Sequence, residues 1–279
     1  WAAPTPSMTR RGLLGLLIGS TSGFFLGRAT APAALDHPGD GDLGLVYHAW
    51  SRPSAPRLLD AITDWGVRPE ATKTYPEAER VQLPSPVAAP ALSAFAAIGG
   101  RRSVRDYATA PMPLGDLSRL LHLAGGITQP GGSAGLRAAP SAGALYPIET
   151  YVIAHTVGDL APGLYHYTVV DHALERLQSD DLRQACVRLG AMQGFLGEAN
   201  AVFVLTAVFQ RLRWRYHRRG YRYALLEAGH IGQNLYLAAT AMGMGACAVG
   251  AFLDDGLNDL LQIDGVKEAA LYMLSVGRR

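Results

Sequence analysis

AVFVLTAVF (201–209), followed soon after by YRYALLEAGHIGQNLYLAATAMGMG (221–245), decides the architecture. The first stretch is apolar except for Thr206 and rich in β-branched and aromatic residues, the pattern of a strand buried on both faces. In the second, Tyr221, Leu225, Ala228, Gly232, Leu235, Ala239 and Met242 recur at three-to-four spacing, which predicts a long helix with one apolar stripe. A strand that needs cover on both sides and a helix that needs a surface imply helices packed on a sheet.

The flanking sequence agrees. TYVIAH (150–155), LYHYTVV (164–170) and AALYMLSVG (269–277) read as strands. LGDLSRLLHLAGGI (114–127) places Leu114, Leu117, Leu120, Leu121 and Ala124 on one helical face and stops at Gly125-Gly126. ALSAFAAIGG (91–100) and DDGLNDLLQI (254–263) read as shorter helices, and LRQACVRLGAMQGFLGEA (182–199) as a helix interrupted by glycines. The expected class is α+β, a central, mostly antiparallel sheet flanked by helices, in a domain spanning 95–279. Residues 34–94 are proline-rich and read as an irregular extension wrapped on that domain, with a helical stretch at RLLDAITDW (57–65).

Residues 8–33 read as an address, with WAAPTPS (1–7) as upstream sequence. Arg10-Arg11 precede a glycine-interrupted apolar run, too short for a spanning helix of roughly 20 residues, and Ala31-Pro32-Ala33 fits a small-x-small cleavage site. The segment resembles a twin-arginine export signal, so the expected location is periplasmic or on the outer face of the cytoplasmic membrane. An uncleaved anchor and a cytoplasmic location are the alternatives.

The chain has 279 residues, 49% hydrophobic and 17% charged, with net charge +2, which implies no nucleic-acid partner. Cys186 and Cys247 form no CxxC site, and Cys247 reads as a small buried residue. There is no GxGxxG, no phosphate loop and no HExxH, so neither a dinucleotide fold nor a metal site is expected.

Three features remain. RRSVRDYATAPMP (101–113) gathers Arg101, Arg102 and Arg105 around Ser103, with Val104, Tyr107 and the prolines drawing the run against protein. Guanidinium groups match phosphate oxygens two at a time, so the cluster points to a phosphate. QPGGSAGLRAAPSAGALYPIE (129–149) is a long loop of the functional kind. Its Pro140-Ser141-Ala142-Gly143 resembles the end of a GxSxG nucleophile elbow, but Ala139 stands where glycine is required, which leaves serine hydrolysis a minor alternative. Finally, Glu227, His230 and Asn234, flanked by Gln233, form a polar stripe on the long helix, expected to be a satisfied network at an interface.

RRSVRDY, RAAPSAGALYPIE, PGLYHY, WRYHRRGYRYALLEAGHIGQNL and the GMG…GF loop occur in an order that resembles the nitroreductase superfamily. The likeness is closest to its SagB-type branch, the azoline dehydrogenases, and extends to YHAWSRP and RPEATKTYP in the extension. It implies a flavin mononucleotide (FMN) oxidoreductase built as an intertwined homodimer. By position, Arg101, Arg102, Ser103 and Arg105 correspond to the phosphate and ribityl contacts, with Arg278 or Arg279 as a last phosphate contact. Pro140, Ser141, Ala142 and Gly143 correspond to the loop that a partner subunit lays on the isoalloxazine ring. Ala248, Val249 and Gly250 correspond to the backbone facing flavin N5.

Arg215-Tyr216 occupies the place of the branch's catalytic Lys-Tyr pair. There Tyr216 is suited to donate or accept a proton. Arg215 stays protonated and is suited only to hold an anion. The implied reaction moves hydride between N5 and a small organic or peptide substrate. After export, the electron partner would be a quinone, oxygen or a redox protein. An azoline dehydrogenase of a peptide-modifying pathway and a non-catalytic flavin-binding module are the alternatives.

Overall fold

The computed structural model describes residues 43–51, 67–86, 92–131 and 135–279. The expected export segment 8–33 and the helical stretch 57–65 lie outside these residues. Residues 48–279 form one compact unit; of the other unit, 1–47, only the first turns of helix α1 (Leu43–Trp50) are described.

The chain then runs β1 (Glu79–Gln82), α2 (Ala94–Gly100), α3 (Leu114–Gly125), β2 (Ile127–Gln129), β3 (Leu136–Arg137) and β4 (Ile148–Ala154). β5 (Gly163–Thr168), β6 (Ala173–Gln178), α4 (Arg183–Leu189), α5 (Phe195–Glu198) and β7 (Ala201–Val208) follow. α6 (Phe209–Tyr216), α7 (Gly220–Ala241), β8 (Gly245–Val249), α8 (Asp254–Leu261) and β9 (Glu268–Gly277) complete it. Seven strands form one sheet in the order β1-β6-β5-β4-β7-β9-β8, every neighbouring pair antiparallel. The α+β class expected from the sequence is the one observed.

β7 lies between β4 and β9 and is buried on both faces, as its apolar run predicts. Phe203 and Leu205 enter the core under α3 and α7, and Val202 and Val204 enter a second core under α4, α5 and α8. Each fully buried Leu or Phe of this kind is worth about 1.5–3 kcal/mol, so the two cores fix the strand's register.

Three expectations need correction. The inward stripe of α7 runs through Ala224, Ala228, Ile231, Leu235 and Ala239, while Tyr221 and Leu225 are exposed. Small residues on that stripe let the helix lie close to the sheet, which turns the bulkier Tyr221 and Leu225 outward. The extension is not wholly irregular: β1 joins the sheet edge beside β6. Its sequence ERVQ carries one apolar residue, too few for an alternation to be read, and polar residues suit an edge. The helix expected over 182–199 is split into α4 and α5 by a turn in which Ala191 and Met192 take positive φ.

Candidate functional site

The arginine segment is held by a notch in the sheet. Gly245 of β8 and Gly277 of β9 are register partners. A Cβ on Gly245 would lie 2.7 Å from the Val104 side chain, and one on Gly277 would lie 2.7 Å from the Tyr107 ring. Two facing glycines thus receive Val104 and Tyr107. The Val104 amide donates to Ala246 O (2.8 Å), the Ala108 amide to Arg278 O (2.8 Å), and Tyr107 Oη bonds Ser275 Oγ (2.7 Å). With both neighbours plugged in, Arg105 projects outward.

The outward side is a groove of about 740 Å³ lined by Ser103, Val104, Arg105, Asp106, Tyr107, Ala108 and Arg279. Arg105 packs its guanidinium 5.5 Å from the Phe195 ring centre, and Arg101 lies 5.0 Å from that of Tyr236. Among the described residues, no carboxylate forms an ion pair with Arg101, Arg102 or Arg105. Arg102 turns back instead, donating to Gly99 O (3.0 Å) and Arg101 O (2.7 Å) at the end of α2. Of the terminal pair, Arg279 lines the groove, whereas the Arg278 guanidinium reaches toward Pro111 O at 3.5 Å.

Tyr236, on α7, ties this region to the β8 loop: its hydroxyl bonds Ser103 Oγ (2.9 Å) and accepts the Ala248 amide (2.7 Å). The Ala248 N–H is therefore already engaged, and Val249 sits within the sheet opposite Met273. Gly250 is exposed, with open space where a side chain would be. Of the three positions, it is the one that a flat ligand can approach.

Of Pro140–Gly143, Gly143 lies against Arg215 and Tyr216. Gly143 takes φ +62°, and a Cβ there would lie 2.6 Å from Tyr216 Oη and 3.1 Å from Arg215 Nη1. Ala144 and Tyr146 also have positive φ, at 52° and 44°, a conformation that costs a non-glycine residue on the order of 1–3 kcal/mol. The fold over-determines the turn. The Tyr146 amide donates to Ser141 Oγ (2.9 Å), Tyr146 Oη accepts the Arg137 amide (3.1 Å), and Arg211 Nη1 donates to Tyr146 O (3.0 Å). Ser141 thus serves the turn, and its hydrogen-bond partners include no histidine. The Tyr216 ring meets Tyr223 of α7 edge-on at 5.0 Å.

Behind the loop runs a buried ionic ladder. Arg211 pairs with Glu149 (2.6 Å); Glu149 and Glu175 flank His166 at 3.0 and 2.9 Å, and His166 and Glu175 are fully buried. Burial pushes both carboxyls upward, but His166, with Arg211 on Glu149, outweighs it and holds them below the ordinary carboxylate range. Burial likewise opposes charge on His166, yet the two carboxylates raise its affinity for a proton above the usual imidazole value. The result is an imidazolium between two carboxylates. The extension covers it: the Tyr75 amide donates to Glu175, and Lys73 bonds Tyr151 Oη and Glu268 (both 2.7 Å).

The polar stripe on α7 is not one network, contrary to expectation. Glu227 is buried, His230 is exposed, and Asn234 donates to Ala124 O of α3 within the same chain. One helical face is crowded by different neighbours at each turn, which spacing alone does not reveal. Tyr236 and Tyr107 were not among the expected site residues. A tyrosine on a buried helical stripe needs a hydroxyl partner, and that need was the readable sign for Tyr236. Cys186 and Cys247 are both buried free thiols. Among the described residues there is no metal-ligand cluster, and no helix is long and apolar enough to cross a membrane.

The two halves sit toward opposite ends of α7. Tyr223, which meets Tyr216, and Glu227, which faces Ser141, precede Tyr236, against the arginine half, by about 20 and 14 Å along the axis at 1.5 Å per residue.

Residues 98–278 match the Nitroreductase family. The chain is 37% identical over 179 residues to MJ1384, a protein of Methanocaldococcus jannaschii named for the nitroreductases, covering 64% of this chain and 87% of that one. It is 33% identical over 110 residues to the microcin B17-processing protein McbC of Escherichia coli, covering 38% of this chain and 40% of McbC. A solved structure from Anabaena variabilis, also named for the nitroreductases, superposes with a TM-score of 0.69 at 30% identity, over 84% of this chain and 46% of that one. The match to McbC agrees with the resemblance to the SagB-type branch. This chain spans less than half the length of McbC and of the Anabaena protein.

Proposed function

The chain belongs to the nitroreductase family of oxidoreductases, and on that premise we propose that it holds FMN between two copies of itself and acts on a small organic or peptide substrate. The observation that carries this reading is the arginine groove: Arg105 and Arg279 line it beside Ser103 and Asp106, Arg101 and Arg105 are seated on aromatic rings, and among the described residues no carboxylate is ion-paired with either. Guanidiniums free of ion pairs, with a hydroxyl at Ser103, fit a phosphate and its sugar-alcohol tail. The open backbone at Gly250 fits the close approach of a flat ring. Bound FMN supplies hydride-transfer chemistry at its N5.

The chain's own residues supply binding, shielding and proton handling. Arg101 and Arg105 bind the phosphate, and Ser103, oriented by Tyr236, bonds the tail. The loop half lies about 14–20 Å along α7 from the arginine half, so a two-fold-related copy is the natural source of the Pro140–Gly143 cover. Phe95 and Ile98 on α2, and Leu225 and Leu226 on α7, are exposed apolar side chains that such a copy could cover. Tyr216, pressed against Gly143, would exchange a proton with substrate, and Arg215 would hold substrate charge.

McbC is named as a processing protein for microcin B17, which favours a peptide substrate as the narrower reading, with azoline oxidation as its chemistry. Arg215 cannot act as the base that such a reaction needs, so that role falls to Tyr216. If the Arg10-Arg11 segment directs export, the electron partner is a quinone, oxygen or a redox protein. The test is the spectrum of the purified protein. The expected result is the visible band of oxidised flavin, bleached by an azoline peptide or other substrate and restored by oxygen. A colourless protein that takes up no added FMN would overturn the reading. A flavin band that no substrate bleaches would leave only a non-catalytic flavin carrier.

A further inference from the structure

Glu227 lies outside every role assigned above. It is 4% exposed, and its Oε2 has no hydrogen-bond partner among the described residues. Two other buried polar atoms share that condition, Arg137 Nε and Glu149 Oε1, the latter ion-paired with Arg211 without an aligned hydrogen bond, and all three residues line one cavity. The cavity is about 10 Å³, room for about one water, and Tyr146, Tyr167 and Ile231 are among the other residues that line it. One N–H donor and two carboxylate acceptors around a water-sized space meet the bonding that a buried water requires. The Glu227 carboxyl also faces Ser141, in the loop that the proposed function lays over the flavin.

We propose that Glu227, with one water seated between it, Arg137 and Glu149, is a positioning residue that carries a proton behind Ser141, and that its ionisation opposes reduction of the covered flavin. The inference rests on the FMN reading above. A hydride delivered to the ring adds negative charge. A second negative charge placed behind the covering loop, in a buried setting that screens poorly, opposes that addition.

The surroundings set the protonation. Burial is the main influence and pushes the Glu227 carboxyl up to about 7; a hydrogen bond from the Ser141 hydroxyl pulls the other way, followed by Arg137 on β3 and Arg211 on α6. Glu149 on β4 faces the same cavity as an anion and favours the protonated form. Burial holds the Tyr167 hydroxyl further from ionisation, and His230, on the same helix as Glu227, is exposed. Glu227 therefore carries its proton below about 7 and loses it above.

The test compares holoprotein with E227Q, which keeps the shape and stays neutral at every pH. In the wild type, reduction should draw one further proton above about pH 7, so the flavin midpoint potential should fall more steeply with pH there. In E227Q that bend should be absent. A second readout needs no flavin. The carboxyl has a folded value near 7 against 4.5 unfolded, so wild-type stability relative to E227Q should be full below 4.5 and decline as pH rises to about 7. Urea midpoints measure this, and a purely structural role would give a pH-independent difference. Flavin bound with superimposable wild-type and E227Q potential curves would overturn this inference alone. Failure to bind flavin would overturn the functional reading, and this inference with it.

Discussion

Replacing Arg101 and Arg105 together with alanine is expected to weaken FMN binding by about two to four orders of magnitude and to leave riboflavin binding within a few-fold of wild type. A hydrogen bond to a charged group is worth about 1.5–3 kcal/mol, so two guanidiniums lost from one phosphate forfeit roughly 3–6 kcal/mol. Both side chains lean on rings, Tyr236 and Phe195, that remain after the change, and the Val104 and Tyr107 plugs into the glycine notch are untouched. Folding should therefore persist. Flavin fluorescence titration of both ligands separates the cases. A loss shared equally by FMN and riboflavin would mean that the arginines support the fold or the ring rather than the phosphate.

His166→Leu is expected to lower stability by about 3–5 kcal/mol, the usual effect of removing one partner from a buried ion pair. Leucine fills the space but leaves Glu149 with Arg211 alone and Glu175 with the Tyr75 amide and a 3.4 Å contact to Arg80. The pH dependence carries a sign. His166 binds its proton more tightly folded than unfolded, so its contribution is full below 6.5 and fades as pH rises through the higher folded value. Glu149 and Glu175 are held below 4.5, so theirs is full above 4.5 and fades on acidification through the folded values. The deficit of the variant should be largest between pH 4.5 and 6.5. Urea unfolding at pH 5.5 and pH 8 checks this, and a deficit under about 1 kcal/mol at both would show that the ladder behaves like a surface pair.

The sequence carried some of this plainly and hid the rest for physical reasons. β7 and α7 were legible because burial on two faces and burial on one face leave different periods. β8, GACAV, was not, because its small residues have little β-propensity and gain their place only by pairing with β9. β1 was hidden by its polar edge character. The arginine run could be read as an anion site, but its division of labour could not. That Arg102 caps α2 while Arg105 lines the groove depends on Gly245 and Gly277, which are distant in sequence and opposed only in the sheet. The same holds for Glu227, whose cavity is assembled from α3, β3, the loop after it, β4, β5 and α7.

The central claim is that each flavin is gripped by the arginines of one copy and covered by the loop of another. Mixing two defective chains tests it most directly: one with Arg101→Ala and Arg105→Ala, the other with Gly143→Val, whose Cβ would strike Tyr216 and Arg215. If the halves come from different copies, the mixed dimer has one site with both defects and one with neither. Flavin binding and turnover should then return in up to half the sites of the mixed dimers, although neither variant alone binds or turns over. No recovery on mixing, with mixed dimers demonstrably formed, would contradict the account.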